Sequence, residues 1–424
     1  MRSRDAKWKI DWKYNECMSQ DLASFRTAGP DQLAAALQDA RHYTLALFDS
    51  LAAAGYDQPH NVPRLSILNP PLWELGHTAW FAEWFVLREA ISSHPAGAQK
   101  PGLLAHGDDW FDSNLVPHKS RWTLDLPSPG ALKTYCREVL ERILDRLARA
   151  SSHDAALYPY RLALAHEDMH GEAYLYTLQT LGVRPQPELA VLLAQSARTA
   201  APAPAHARGK VAFGGGAFMR GGDQSRGFVF DNEKNGARVR VAPFAIDAGL
   251  VTNAQYLEFM EDGGYQRPAY WSEAGRNWLM GQERSSPRYW HREGDDWRHT
   301  RFGRELALAM DEPVRHVTLF EAQAWCAWAG RRLPLEAEWE FAATSSQPGF
   351  GWGQLWEWTA SRFEPYPGFA PDRYLEYSQP WFGSRQTLRG ASFATPARLR
   401  SPQFRNFFTP ERDDIYAGFR SCAL

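Results

Sequence analysis

Near residue 185 the chain changes its hydrophobic period, and that change constrains its fold more than any other feature of the sequence. Upstream, apolar residues recur at the i, i+3, i+4, i+7 spacing of amphipathic helices. Downstream, Gly and Pro punctuate short segments, and RVRVAPFAID alternates as a strand does, with Val239 and Val241 on one face. Between the two lie Pro185, Pro187, Pro202 and Pro204 among alanines, the composition of a linker. A chain of 424 residues also exceeds one ordinary core. The expected organisation is an N-terminal extension over 1–28, a helical bundle over 29–185, an Ala/Pro-rich linker over 186–209 and an α+β domain over 210–424.

Four helices are expected in the first part. They run from Asp31 to Ala54, from Pro70-Pro71 to about Ile91, onward from Ser128-Pro129, and from Pro159 to Gly182. That number and their length predict a four-helix bundle. In the second part only Asn253–Glu261 and Leu319–Trp328 read as helices. Charge narrows the partners: a net charge of −2 points to neither nucleic acid nor an anionic membrane surface. The four cysteines form no CxxC pair, and Cys136 sits at an apolar helical position as a buried thiol does. The charged N-terminus has no apolar signal core, and no run approaches ~18 apolar residues, so a cytoplasmic location is expected.

The segment His166-Glu167-Asp168-Met169-His170 carries the strongest chemical signal. Two His four residues apart on a helix face the same way and can reach one metal ion. They share a stripe with Leu162, Ala163, Ala173 and Thr177, where two uncompensated imidazoles would be costly and a metal removes the cost. The same five residues satisfy H-E-x-x-H, in which Glu167 would be the general base of a zinc hydrolase. For that chemistry the downstream third ligand is wanting: Glu172 is too close and Glu188 lies in the Pro-rich stretch. His77, within Trp73-Glu74-Leu75-Gly76-His77 and beside Trp80 and Trp84, offers a third ligand from inside the bundle. Gly76 leaves room there for a close neighbour. Three neutral imidazoles with open positions suit iron(II) binding substrate and O2 better than a closed structural zinc. The other histidines read as surface or loop residues.

The W-x-L-x-H segment (Trp73 to His77) followed by HEDMHGE (His166 to Glu172) resembles the DinB-like bundle of the ergothioneine-type sulfoxide synthases. The second half resembles the formylglycine-generating-enzyme fold, a C-type-lectin-like domain, through FDNE (Phe230–Glu233), VTNAQYLEFMEDGGY (Val251–Tyr265), AWAGRRLPLEAEWEFAA (Ala327–Ala343), LWEWTAS (Leu355–Ser361), LRGASFAT (Leu388–Thr395) and FRNFFTPERDDIYAGFR (Phe404–Arg420). The cysteines that serve formylglycine generation are not matched. The resemblance implies a multidomain α and α+β protein that couples the imidazole carbon of hercynine (trimethylhistidine) to a chalcogen donor, using iron(II) and O2. It places the iron on His77, His166 and His170. It gives Tyr366, in a P-Y-P-G-F loop, as the catalytic proton or electron donor, with Tyr374 competing for the place facing the metal.

Two departures from the family pattern matter for substrate. Its Asn-Trp-Asp segment reads Asn406-Phe407-Phe408, and Met169 stands where a Gln is common. Phe407 still suits an aromatic cage for a quaternary ammonium. These features resemble the selenoneine synthase branch, in which a selenosugar is the donor. A cysteine or γ-glutamylcysteine thiol, as in ergothioneine sulfoxide synthesis, is the alternative. Lys119 and Arg121, near Trp110 and Trp122, are the candidate donor contacts, and the expected assembly is a monomer. Outside the family stand the zinc hydrolase and a non-enzymatic ligand-binding protein.

Overall fold

The computed structural model describes residues 24–199, 209–345 and 347–424. Helix α1 (Pro30–Ala53) begins with proline at its first position, as does α2 (Pro71–Ala82). A short α3 (Gly107–Phe111) precedes α4 (Pro129–Leu147), whose start is capped by the Ser128 hydroxyl accepting from Ala131 N at 3.3 Å. The last long helix of the bundle, α5 (Asp154–Thr180), starts five residues before the Pro159 expected to open it. His153 caps it, Nδ1 accepting from Ala156 N at 3.2 Å, and the helix passes through Pro159. That proline lies in the second turn, where its missing N–H costs a single helical bond. Helix α1 packs against α4 and α5, and α2 packs against the same two, completing the four-helix bundle.

Beyond Ala82 the helix widens into a π-turn over Glu83–Leu87 and stops short of the expected Ile91, with Glu89 at φ 52°. The stretch expected as a linker contains another helix, α6 (Pro187–Thr199), packed on α1. Its remainder at 200–208, and the first 23 residues of the expected N-terminal extension, lie outside the described residues. What is described of that extension is docked. Phe25 is buried, its N–H donates to Arg398 O at 3.2 Å, and its ring meets Phe228 at 5.4 Å.

The second half is built from short strands. Antiparallel pairs join β1 (Lys210–Phe213) to β4 (Phe244–Asp247) and β2 (Gly216–Met219) to β3 (Arg238–Val241). RVRVAPFAID is therefore two strands in different sheets, broken at Ala242-Pro243, where proline has no N–H for a ladder. Helices α7 (Asn253–Glu261) and α8 (Glu273–Met280) lead into a meander of β5 (Trp290–Glu293), β6 (Asp296–Arg301) and β7 (Arg304–Ala307). After α9 (Leu319–Trp328) and α10 (Glu336–Thr344) comes the central sheet. It contains β8 (Trp356–Arg362), β9 (Gln386–Gly390), β10 (Asn406–Phe408) and β11 (Ala417–Gly418), in the order β10-β9-β8-β11. The α+β expectation holds, and α8 and α10 are helices that the Gly- and Pro-rich pattern concealed. Among the described residues no helix is long and apolar enough to cross a membrane.

The halves share one apolar core and a set of buried polar ties. The Glu172 carboxylate on α5 accepts from Tyr176 Oη (2.7 Å) and from three groups of the second half: Trp356 Nε1 (2.8 Å), Ser392 Oγ (2.6 Å) and Thr395 Oγ1 (2.8 Å). Arg398 donates to both Asp168 oxygens at 2.9 and 2.6 Å, and Arg26 to both Glu233 oxygens at 2.6 and 2.8 Å. Removing one partner of such a buried charged pair leaves an uncompensated ion, a loss of about 3–5 kcal/mol.

A segment between β8 and β9 crosses back onto the bundle. Ser93 N donates to Arg373 O at 2.7 Å, Leu375 N donates to Ser93 Oγ at 3.0 Å, and the Ser93 hydroxyl donates to Glu376. This docking sets Tyr374 against the bundle interior.

Candidate metal centre

His77 of α2 and His166 and His170 of α5 converge inside the bundle, one ring nitrogen from each lying within 4.8 Å of the others. Ring centroids are 5.1 Å apart for His77–His166, 5.0 Å for His77–His170 and 4.5 Å for His166–His170. Their tautomers follow from their neighbours. His77 Nδ1 lies 2.8 Å from Phe111 O, and a carbonyl only accepts, so Nδ1 carries the proton and Nε2 presents its lone pair. His170 Nδ1 donates to Glu74 Oε1 at 2.7 Å, with the same consequence. This is the outer-partner arrangement that orients metal-binding imidazoles.

His166 is 2 % exposed and its ring stacks on Phe81 at 3.5 Å, yet neither of its nitrogens has a hydrogen-bond partner. An orphaned buried imidazole is costly, and a shared metal ion answers the cost. Burial and the neighbouring imidazoles push His77 and His166 well below the ordinary histidine pKa, so both stay neutral with lone pairs available. The donor set of three imidazole nitrogens with no protein carboxylate fits a divalent transition metal with open coordination positions.

Other acidic residues of this region are committed elsewhere. Arg41 grips both Glu167 oxygens, at 2.6 and 3.0 Å, so the residue that a zinc hydrolase would need as a free general base is tied into a buried ion pair. Glu172 takes the four donors described above, and Glu188 faces His42 at 3.3 Å. The H-E-x-x-H reading therefore fails on the geometry of its own glutamate.

A cavity of about 380 Å³ reaches the centre only through neighbours of the histidines: its wall includes Glu74, which holds His170, and Met169, the residue before His170, but none of the three imidazoles. Asn406, Phe407, Phe408 and Arg121 also line it, so these expected substrate contacts are brought together. Lys119 is not: it is exposed on the turn His118–Trp122 while Arg121 lies over the Trp73 ring at 3.8 Å. The helical turn points the two side chains to different sides. Tyr366 is also placed away from the expected position. Its hydroxyl is 3.4 Å from Glu336 Oε1, and its ring lies between the Arg220 and Arg405 guanidinium groups at 3.9 and 4.1 Å. Tyr374 stands against the centre instead, edge-on to Phe81 at 5.0 Å and to His166 at 6.0 Å. Two histidines read as surface or loop residues, His299 and His316, are buried.

A model of the DinB superfamily matches residues 36–174, and one of the Sulfatase-modifying factor enzyme 1-like domain matches 196–354 and 351–423. The chain is 32% identical to the Hercynine oxygenase of Mycolicibacterium thermoresistibile over 92% of its own length and 94% of that protein's. It is 33% identical to that of Mycobacterium tuberculosis over 92% and 98% of the two lengths. The chain belongs to the hercynine oxygenase family. Its second half is also 33% similar by identity to a Formylglycine-generating enzyme of Streptomyces coelicolor, over 39% of this chain and 58% of that one. The expected two-part architecture, a DinB-like bundle joined to a formylglycine-generating-enzyme-like domain, is thereby established.

Within this hercynine oxygenase homologue, sequence reasoning missed Glu74, Phe81, Phe111 and Tyr377. Glu74 left a trace: an acidic residue among Leu72, Trp73 and Leu75 has to meet a donor in the interior. Replacing Glu74 by Gln keeps the shape but removes the carboxylate that orients His170. The expected result is divalent-metal affinity lowered by about 10- to 100-fold, read by metal titration; unchanged affinity would show that Glu74 is a packing residue only. Gly76 is needed because a Cβ there would lie 2.2 Å from Phe111 ring carbons. Gly76→Ala must displace the residue whose carbonyl holds His77. Thermal unfolding of the metal-free protein should show a loss of about 1–3 kcal/mol, with weaker metal binding alongside.

Proposed function

We propose that this chain is an iron(II)- and O2-dependent oxidoreductase that forms a carbon–chalcogen bond on the imidazole ring of hercynine. The observation that carries the reading is the triad of imidazoles, two of them oriented through Nδ1 and the third orphaned; a cavity sized for a small ligand shares Glu74 and Met169 with their surroundings. The name shared by the long-range relatives supplies the substrate. Bound iron would supply the activation of O2 and the one-electron chemistry.

The chain's own residues do the rest. Glu74 and the Phe111 carbonyl hold two imidazoles in the lone-pair-inward tautomer, and Phe81 fixes the third ring by stacking. Phe407, Phe408 and Tyr377 give the cavity aromatic faces suited to a trimethylammonium group. Burial, reinforced by Glu376, pushes the Tyr374 phenol well above its usual pKa, so its proton is retained until a strong base develops beside it. Tyr377 donates weakly to Met169 Sδ at 3.9 Å and closes the wall between the two domains.

For the donor we favour selenium carried on a sugar. Arg412 is committed to Asp414 at 2.5 and 2.7 Å, and Phe407 is stacked on Phe363 at 4.1 Å. The wall is thus aromatic and nearly charge-balanced, which suits an uncharged donor. One observation favours the second reading, a cysteine or γ-glutamylcysteine thiol. Among the described residues Arg121 donates to Asn69 Oδ1 (2.7 Å) and Val116 O (3.4 Å) and forms no ion pair, which leaves its charge available to a carboxylate. The test is anaerobic loading with iron(II), then O2 and hercynine with either donor, products read by mass. A selenium isotope pattern on the hercynine mass supports the first reading, and a sulfoxide from the thiol alone supports the second. No oxygen uptake with either donor would overturn the proposal.

A further inference from the structure

We propose that a second cleft, walled in part by Phe85 and separate from the cavity beside the histidines, is a binding site for a small organic dianion whose occupancy is sensed by Tyr374. The cleft encloses about 530 Å³ between the end of the π-turn, the C-terminus of α4 and the start of α5. Its floor is apolar, with Phe85, Val86, Ala156 and Pro159, and three guanidinium groups converge on it from Arg146, Arg149 and Arg373. Glu89 is the one carboxylate in the lining, and it is already shared by Lys100 (2.7 Å) and Arg146. Among the described residues no carboxylate lies within ion-pair distance of Arg149 or Arg373. Arg373 rests over the Tyr158 ring at 5.0 Å, and two guanidinium groups without a carboxylate partner over an apolar floor match a ligand carrying two carboxylates or one phosphate on a hydrocarbon body.

The coupling runs through two contiguous elements. Arg373 is held to the bundle by Ser93 N donating to its carbonyl, and the next residue is Tyr374. Phe85 contacts Tyr374 at 6.4 Å and Phe81 at 4.7 Å, and Phe81 is the ring stacked on His166. A ligand that draws Arg373 into the cleft and presses on Phe85 moves both supports of the tyrosine. The coupling half of the proposal rests on the role given to Tyr374; the binding half does not.

Calorimetric titration of the full-length, metal-free protein with glutarate and with phenyl phosphate tests the site and distinguishes carboxylate from phosphate recognition. At least one should saturate at one per chain, and Arg149→Gln and Arg373→Gln should each weaken it about tenfold, the size of one charge-assisted contact. Arg149 is exposed on the rim, so R149Q should keep iron uptake and basal turnover. Saturation by neither anion, or affinities unchanged in both variants, overturns the site. With the iron-loaded enzyme, the bound anion should shift kcat or KM in the wild type, and in R149Q the same shift should need about tenfold more anion. Binding without such a shift overturns the coupling. A silent Tyr374→Phe variant would withdraw the role of the tyrosine and leave the titration result standing.

Discussion

His170→Ala is expected to abolish iron loading and oxygen consumption together, while the protein stays folded. His170 is only partly buried and its ring is one of three that converge, so alanine leaves a small space and no stranded partner except Glu74. Two imidazoles then remain where three converged. Loss of an outer partner alone weakens metal sites by about 10- to 100-fold, so loss of a ligand should exceed a hundredfold. Metal content after gel filtration, beside an oxygen-electrode trace, reads both effects. Iron retained at one per chain with turnover intact would sink the three-histidine assignment. His166→Ala should behave alike in loading; it removes an unpartnered imidazole but also a buried ring stacked on Phe81, so the two effects on the metal-free fold oppose each other.

The second large effect is expected from Tyr374→Phe, with kcat falling by about 10²- to 10⁴-fold, the range of a positioned acid or base, and iron loading unchanged. The hydroxyl is the only group removed, and the ring that packs on Phe81 and His166 remains. Tyr366→Phe is the contrast. That hydroxyl meets Glu336 inside a buried ionic cluster with Arg389 and Arg405, so its loss should appear in unfolding and leave kcat within a few-fold. A large kcat effect at Tyr366 and none at Tyr374 would decide for Tyr366, the donor that the family resemblance implies.

That exchange of tyrosines shows where sequence reasoning reaches and where it stops. Periodicity located α1 and α4, which bury a continuous stripe, prolines marked α2, which is buried on every face, and spacing alone placed His166 and His170 on one face. His77 was legible from its apolar surroundings. Contacts made by returning loops were not. Tyr366 and Tyr374 lie in the same stretch between β8 and β9, and the sequence does not reveal which of them Ser93 carries to the bundle. Lys119 and Arg121 differ by two positions on one short turn, which is enough to place one in solvent and the other over Trp73. The zinc hydrolase pattern failed for a similar reason: the partner of Glu167, Arg41, is 126 residues away in the chain.

Glu172 lies two positions beyond His170 on the same helix, and three of its four donors belong to the other domain. The rotational setting of α5, and with it the aim of two ligands, is therefore partly dictated by Trp356, Ser392 and Thr395. Recombination between homologues would have to respect this. A chimera that takes its bundle from one ancestor and its lectin-like half from another inherits a working centre only when the carboxylate and its recipients travel together. The two halves thus behave as a single unit of inheritance, and grafting the three donor side chains should rescue a mismatched chimera.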